Sequence, residues 1–204
     1  MEEVGLVATV RGGTGRDEPG DPERDLARET ERRALLERAT VREVLMGAQD
    51  NLTNVLAVVM GVTIGAGRAE LVALAGAAAA VAEAISMAGV LYTATRAELD
   101  LDARERSPGE VQRPARLGPG GAAFVTGLAA LAGGLLPLAP FAALPLGAAV
   151  ATSLAVSIVA LFLLGSVTAS ITLRSWWREG ARLILIAGSA ALAAALIGAA
   201  LRVE

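Results

Sequence analysis

The sequence predicts an all-α fold, a polytopic membrane bundle with five transmembrane helices, and three observations carry that prediction. Hydrophobic residues make up 54% of the 204-residue chain while aromatics supply only 3%, so the apolar content comes from Ala, Leu, Val and Ile, unlike an ordinary soluble core. The apolar residues gather into five long runs, each matching the roughly 20 residues of helix that cross about 30 Å of hydrocarbon. Charge is confined almost wholly to the stretch before the first run, to the segment Arg96 to Arg116, and to Arg174 to Arg182.

Taken in order, residues 1–21, with the stretch RGGTGRDEPGDP, combine Gly, Pro and scattered charge with too little apolar surface to fold alone, and read as a disordered cytoplasmic tail. Residues 22–43 are rich in good helix formers, with Pro22 suited to a first turn and Leu26, Leu35 and Leu36 forming a thin apolar edge. They predict a charged cytoplasmic helix leading into the first span. The five-helix membrane domain follows over 44–204, with spans at about 44–64, 70–94, 121–144, 146–173 and 181–201. A cytoplasmic loop is expected over 95–120, which ends in RPARLGPGG. Only APFAALP separates the third span from the fourth, so these two form a tight hairpin shaped by Pro137, Pro140 and Pro145. RSWWREGA separates the fourth from the fifth and places Trp176 and Trp177 beside arginines, as an interfacial anchor does.

The arginines give an orientation, because cytoplasmic loops retain them. An N-terminus inside places Arg24, Arg28, Arg32, Arg33, Arg38 and Arg42, the Arg96 to Arg116 segment and Arg174 to Arg182 in the cytoplasm, leaving only Arg68 and Arg202 opposite. Five spans then put the C-terminus outside, in a multi-pass protein of the cell inner membrane. The segment Met1 to Arg42 has no apolar stretch of the kind a signal peptide needs.

Composition also excludes functions. With no Cys and no His there are no disulfides, no thiolate or imidazole metal ligands, and no Ser/His or Cys/His nucleophilic pair. A net charge of −3, with acids interleaved among the basic residues, argues against a nucleic-acid partner. GTG and GPGG do not have the spacing of a phosphate loop. The reading is of a protein that is not an enzyme and holds no cofactor.

Two carboxylates fall well inside the predicted spans, Asp50 and Glu83. An ionisable group in hydrocarbon costs several kcal/mol unless it faces a partner, a bundle interior or water, so its default reading is functional. In MGAQDNLTN, Met46, Asp50 and Asn54 recur at intervals of four with Thr53 beside them, a polar stripe on an otherwise apolar helix. In VAEAISM, Glu83 and Met87 are likewise four apart, with Ser86 adjacent. If the two faces meet they offer carboxylate, amide, hydroxyl and thioether donors to a moderately hard divalent cation, the sulfur tilting preference toward iron or manganese over magnesium. The plainer alternatives are that the acids hydrogen-bond across helices or sit protonated in packing contacts, and that Met87 fills a gap. The acids Glu98, Asp100, Asp102, Glu105 and Glu110 could draw cations to a pore mouth, but Arg96, Arg104 and Arg106 interleave with them, as in a solvated helix end. Gly and Ala within GVTIGAG and LAGAAAAVAEA allow close helix approach, either in general packing or at a dimer seam.

At these residues the sequence resembles the vacuolar iron transporter family. The resemblance rests on Gly47, Ala48, Gln49 and Asp50 in the first span, on Ile85, Ser86 and Met87 in the second, followed by LYTATRAE, and on GGLLPLAP from Gly133 to Pro140 in the third; it covers about Val41 to Leu201. It implies a homodimer whose first spans line a path for iron(II) or manganese(II) out of the cytosol, commonly in exchange for protons, with Asp50 and Met87 as pathway ligands. The chain departs from the family in having only a Pro- and Gly-bearing loop where eukaryotic members carry a glutamate-rich metal-binding insert, Ala79 where members carry a glutamate, and Asn51 where glycine is usual. Two rival functions remain on the sequence alone: export of another small cation on the same scaffold, and a membrane-anchored adaptor whose charged N-terminal helix binds a partner.

Overall fold

The computed structural model describes residues 22–105, 117–172 and 174–202, with the side chains of 22–40, Asp102 and Glu105 left aside. The expected tail over 1–21 lies outside the described residues, as do residues 106–116 of the loop expected over 95–120. The chain divides into two compact units, Met1–Leu35 and Leu36–Glu204. The described part of the first is helical from Pro22, and the second holds everything that follows here.

Every regular element among the described residues is a helix: α1 Pro22–Ala66, α2 Ala69–Glu105, α3 Pro119–Leu135, a 3-10 segment Leu136–Ala142, α4 Leu146–Thr172 and α5 Trp176–Ala200. Four stretches are long and apolar enough to cross a membrane: Ala69–Leu101, Pro119–Ala142, Leu146–Thr172 and Trp176–Ala200. α1 is not among them, since Gln49, Asp50, Asn51, Thr53 and Asn54 interrupt its apolar run. Their apolar outer faces are what lipid accepts, because a helix satisfies its own backbone groups where no water can.

The helix ends have local causes. Gly67 takes the left-handed conformation, φ 63°, and its N–H bonds the Thr63 carbonyl at 3.0 Å, closing α1 in a turn that sends α2 back antiparallel. α3 opens on Pro119 in its first turn, where the missing N–H costs nothing. Three boundaries differ from expectation. The loop expected from residue 95 starts only after Glu105, because Thr95 to Glu105 is made of good helix formers and Arg96 pairs with Asp100 one turn on. The fifth helix begins at Trp176 rather than near Ala181, since Ser175 already accepts the N–H groups of Arg178 and Glu179 and starts the helix there. The third span is not one α-helix to Leu144 but tightens into the 3-10 segment at Leu136.

That tightening follows from proline chemistry. In an i→i+3 segment the Pro137 carbonyl would accept from residue 140, but Pro140 has no N–H. Ser153, fully buried on α4, donates its hydroxyl to that carbonyl at 2.7 Å. The prolines therefore shape the hairpin as expected, and α4 supplies the bond they remove.

The interior is built on α1. Val55 and Val59 pack with Val72 and Ala80 of α2 and Leu138, while Leu52 packs with Leu161 of α4 and Leu183 and Ala187 of α5. Glycines let backbones meet where α1 crosses its neighbours: Gly133 of α3 lies against the Ala48 carbonyl, and Gly198 of α5 against the Gly61 carbonyl, too close in each case for a side chain. At the far end Phe162 stands edge-on to Trp176 at 5.8 Å, and Arg178 lies 5.3 Å from the Trp177 ring centroid. Glu179 pairs with Arg174 at 3.1 Å and with Arg182 at 3.8 Å.

Candidate metal pathway

The site grows from the register of α1 against α2. An α-helix turns about 100° per residue, so Gly47, Asn51, Leu52, Val55, Leu56 and Val59 fall on the buried side of α1. Met46, Asp50 and Asn54 fall on the other side and are exposed. The polar stripe read from the sequence is thus real as a face, and it looks outward rather than into the bundle.

α2 meets this stripe at its edge. The Glu83 carboxyl is half-buried and lies within interaction range of both the Asp50 carboxylate and the Asn54 amide. Because the helices run antiparallel, four residues back along α1 and four forward along α2 arrive at the same level, which puts Met46 and Met87 on the next rung toward the charged N-terminal end of α1. Met87 is half-buried and Met46 is 51% exposed. Of the five candidate ligands, the structure brings Asp50, Glu83 and Asn54 together and stations the two methionines one turn away. Thr53 does not join them; its hydroxyl turns back to the Gln49 carbonyl at 2.9 Å. Ser86 is exposed on α2.

Among the described residues no group of three or more carboxylate, imidazole or thiolate side chains is placed to hold a metal ion. The chain offers a carboxylate pair, an amide oxygen and two thioethers here, an incomplete shell for a cation that takes six or more oxygen donors. What it offers is also open on one side. Beyond Asn54 the same face of α1 continues into a groove of about 330 Å³, lined by Ala57, Val58, Gly61 and Val62 with Ala194, Ile197 and Gly198 of α5.

The acids at the end of α2 are less concentrated than the sequence suggested. Arg96 pairs with Asp100 at 3.7 Å, both exposed. Glu98, however, lies within electrostatic reach of Glu43 on α1, whose carboxyl is held above the usual carboxylate range by burial first and by Glu98 second, against the opposing pull of Arg42.

The residue that sequence reading undervalued is Asn51. In sequence it stands out only as a departure from glycine, yet it is fully buried and bonds two other helices at once, through the carbonyls of Ala80 at 2.9 Å and Ala130 at 2.8 Å. The signal for it was the Gly133-Gly134 pair, since Gly134 is where α3 opens to receive the amide.

A family model described as the VIT family matches the chain over residues 41–113 and 108–199, which is most of its length. No curated protein matches the chain.

Proposed function

The chain belongs to the VIT family, whose members move metal ions across membranes, and from that premise we propose that this multi-pass membrane protein carries a divalent cation, iron(II) or manganese(II), out of the cytosol in exchange for protons. The observation that carries the reading is the outward placement of Asp50. A carboxylate on an exposed helix face within the membrane costs several kcal/mol unless polar groups or water cover it, and Asp50 is exposed with Asn54 and Met46 along one side of α1.

The cover that fits best is a second copy of the chain. Two α1 faces brought together about a twofold axis double the donor set, so that two Asp50 carboxylates, two Asn54 amides and the flanking Glu83 and Met87 side chains enclose one path. Ala57, a small residue on the same face, permits the close approach such a seam needs. In this reading α1 is the fifth span, less apolar than the other four because it faces a path rather than lipid. The N-terminus lies in the cytoplasm, the C-terminus outside, and the membrane is the inner membrane, as the arginine distribution favours.

Chemistry supports exchange for protons. Two carboxylates held side by side repel one another when both are ionised, so either a cation or a proton relieves them. Loading with metal displaces a proton, and release on the far side lets a proton return. The mixture of oxygen and thioether donors suits iron(II) or manganese(II) better than magnesium.

The test is flux of iron(II) and manganese(II) into proteoliposomes holding wild type or Asp50→Ala, with and without an imposed pH gradient. The expected result is wild-type flux that responds to the gradient and falls by about two orders of magnitude in Asp50→Ala, on the scale of losing an essential charged group. Wild-type flux retained in a folded Asp50→Ala protein would remove Asp50 from the path.

A further inference from the structure

Asn51 sits beside Asp50 in sequence and on the opposite kind of surface in space. It is 0% exposed, and its Nδ2 donates one hydrogen bond to α2 through the Ala80 carbonyl and another to α3 through the Ala130 carbonyl. The pocket is cut to its shape, because a Cβ at Gly134 would lie 2.7 Å from Oδ1. Yet among the described residues Oδ1 has no hydrogen-bond partner, a condition it shares with the buried hydroxyls of Thr63, Thr126 and Ser157.

Those facts make the amide a poor choice for stability alone. An unpartnered buried acceptor costs about 1–3 kcal/mol, while a hydrogen bond between membrane helices contributes about 0.6 kcal/mol on average. An apolar side chain of similar size would fill the space with no such cost. What the amide adds is direction: two bonds to two separate helices fix both the rotation of α1 about its axis and its height along them. Neither adjacent helix can turn relative to α1 without breaking one of them.

We propose that Asn51 is a positioning residue for metal passage: its two bonds lock α1 so that Asp50, about 100° round the helix, faces Glu83 at the protomer surface. This rests on the reading of Asp50 as a pathway ligand. Without the lock, α1 rotates or slides over a distribution of settings, and the two carboxylates meet a cation only part of the time. Metal affinity falls although the chemistry of the ligands is unchanged.

The test needs a readout of α1's setting that does not depend on transport. The chain has no cysteine, so an introduced pair reports cleanly. A Cβ at Gly61 would lie 3.4 Å from the Ala194 Cβ and 3.1 Å from the Ala194 carbonyl oxygen, so a disulfide there needs the helices to part by a few tenths of an ångström, and neither residue touches the clasp. Gly61→Cys with Ala194→Cys is compared in chains carrying Asn51 and Asn51→Leu, alongside KM and maximal rate for manganese(II) in proteoliposomes without the cysteines. The expected result is that Asn51→Leu lowers disulfide yield severalfold and raises KM about tenfold, the equivalent of about 1.4 kcal/mol, while maximal rate stays within about twofold. Unchanged disulfide yield and unchanged KM would overturn the proposal, since Asn51 would then only fill space; so would a fall in maximal rate alone, which marks fewer folded molecules. Gly134→Ala provides a second route that keeps Asn51 but displaces its amide, and is expected to move KM in the same direction. If wild type carries neither iron(II) nor manganese(II), the function reading fails by itself, and the disulfide yield alone decides the clasp: a severalfold fall sustains it and no change sinks it.

Discussion

α1 and α4 handle the same difficulty, polar side chains in a membrane helix, in opposite ways. α4 carries Ser153, Ser157, Ser166, Thr168, Ser170 and Thr172 and is nonetheless apolar enough to span. Ser166, Thr168 and Thr172 donate to carbonyls four residues back in the same helix, and Ser170 to one three back; Ser153 and Ser157 are turned fully inward, Ser153 to the Pro137 carbonyl and Ser157 to no partner among the described residues, and Thr152 is exposed. Its open face is left to Ala155, Val159 and Leu163, which lipid tolerates. α1 buries one amide and directs a carboxylate, an amide and a thioether to its open side. A hydroxyl can be satisfied by its own helix, whereas a carboxylate cannot, because every backbone N–H it could use is already bonded. The hydroxyls of Ser166, Thr168, Ser170 and Thr172 are satisfied within α4, whereas the Asp50 carboxylate on α1 is exposed.

The comparison can be broken by giving α4 what α1 has. Val159, 58% exposed on α4, lies where nothing polar is available, so Val159→Asp is expected to cost about 2.5–3.5 kcal/mol of insertion free energy and to remove most of the membrane-inserted protein. Inserted yield measured beside an Asp50→Val control checks this. The control is expected to insert at least as well as wild type, and equal yields for Val159→Asp and wild type would mean that α4's open face is also covered by polar groups.

A smaller effect sharpens the α4 half. Ser153→Ala leaves the Pro137 carbonyl buried with neither its helix partner nor the hydroxyl, at a cost of about 1–3 kcal/mol. Thermal unfolding in detergent should show the loss. Thr168→Ala, which removes a hydroxyl bonded only to its own helix, is expected to change stability by less than about 0.5 kcal/mol.

The smallest effect belongs to Glu43, where α1 leaves the apolar run. Its carboxyl is raised above the ordinary value of 4.5 by burial and by Glu98, so the folded protein holds this proton more tightly than the unfolded chain. The sign follows: the contribution to stability is fully present below pH 4.5 and is lost as pH rises through the raised value. Glu43→Gln is therefore expected to raise Tm slightly at neutral pH, with the gain closing at about pH 4. A gain that persists unchanged in acid would assign it to something other than ionisation.

Much of this protein was legible in its residues. The helical class, the positions of α2 to α5 and the candidate ligands follow from where apolar runs and charges lie, because the hydrocarbon thickness and the cost of burying charge act on sequence directly. The stripe Met46, Asp50 and Asn54 is a consequence of helix period alone. Periodicity names a face, however, and not what the face meets. Asp50 and Asn51 are neighbours in the chain, and nothing in their order says that the amide is sealed among three helices while the carboxylate looks outward. That assignment depends on Gly133 and Gly134 admitting α1 so closely that the Asn51 side chain is sealed between helices, and on α2 returning antiparallel to set Glu83 beside Asp50. The extension of α2 to Glu105 and the 3-10 turn rescued by Ser153 belong to the same class. Residue chemistry alone says which side chains are too polar for lipid; which of them are hidden and which are exposed follows only from the packed helices, because burial is a property of surfaces brought together from distant parts of the chain.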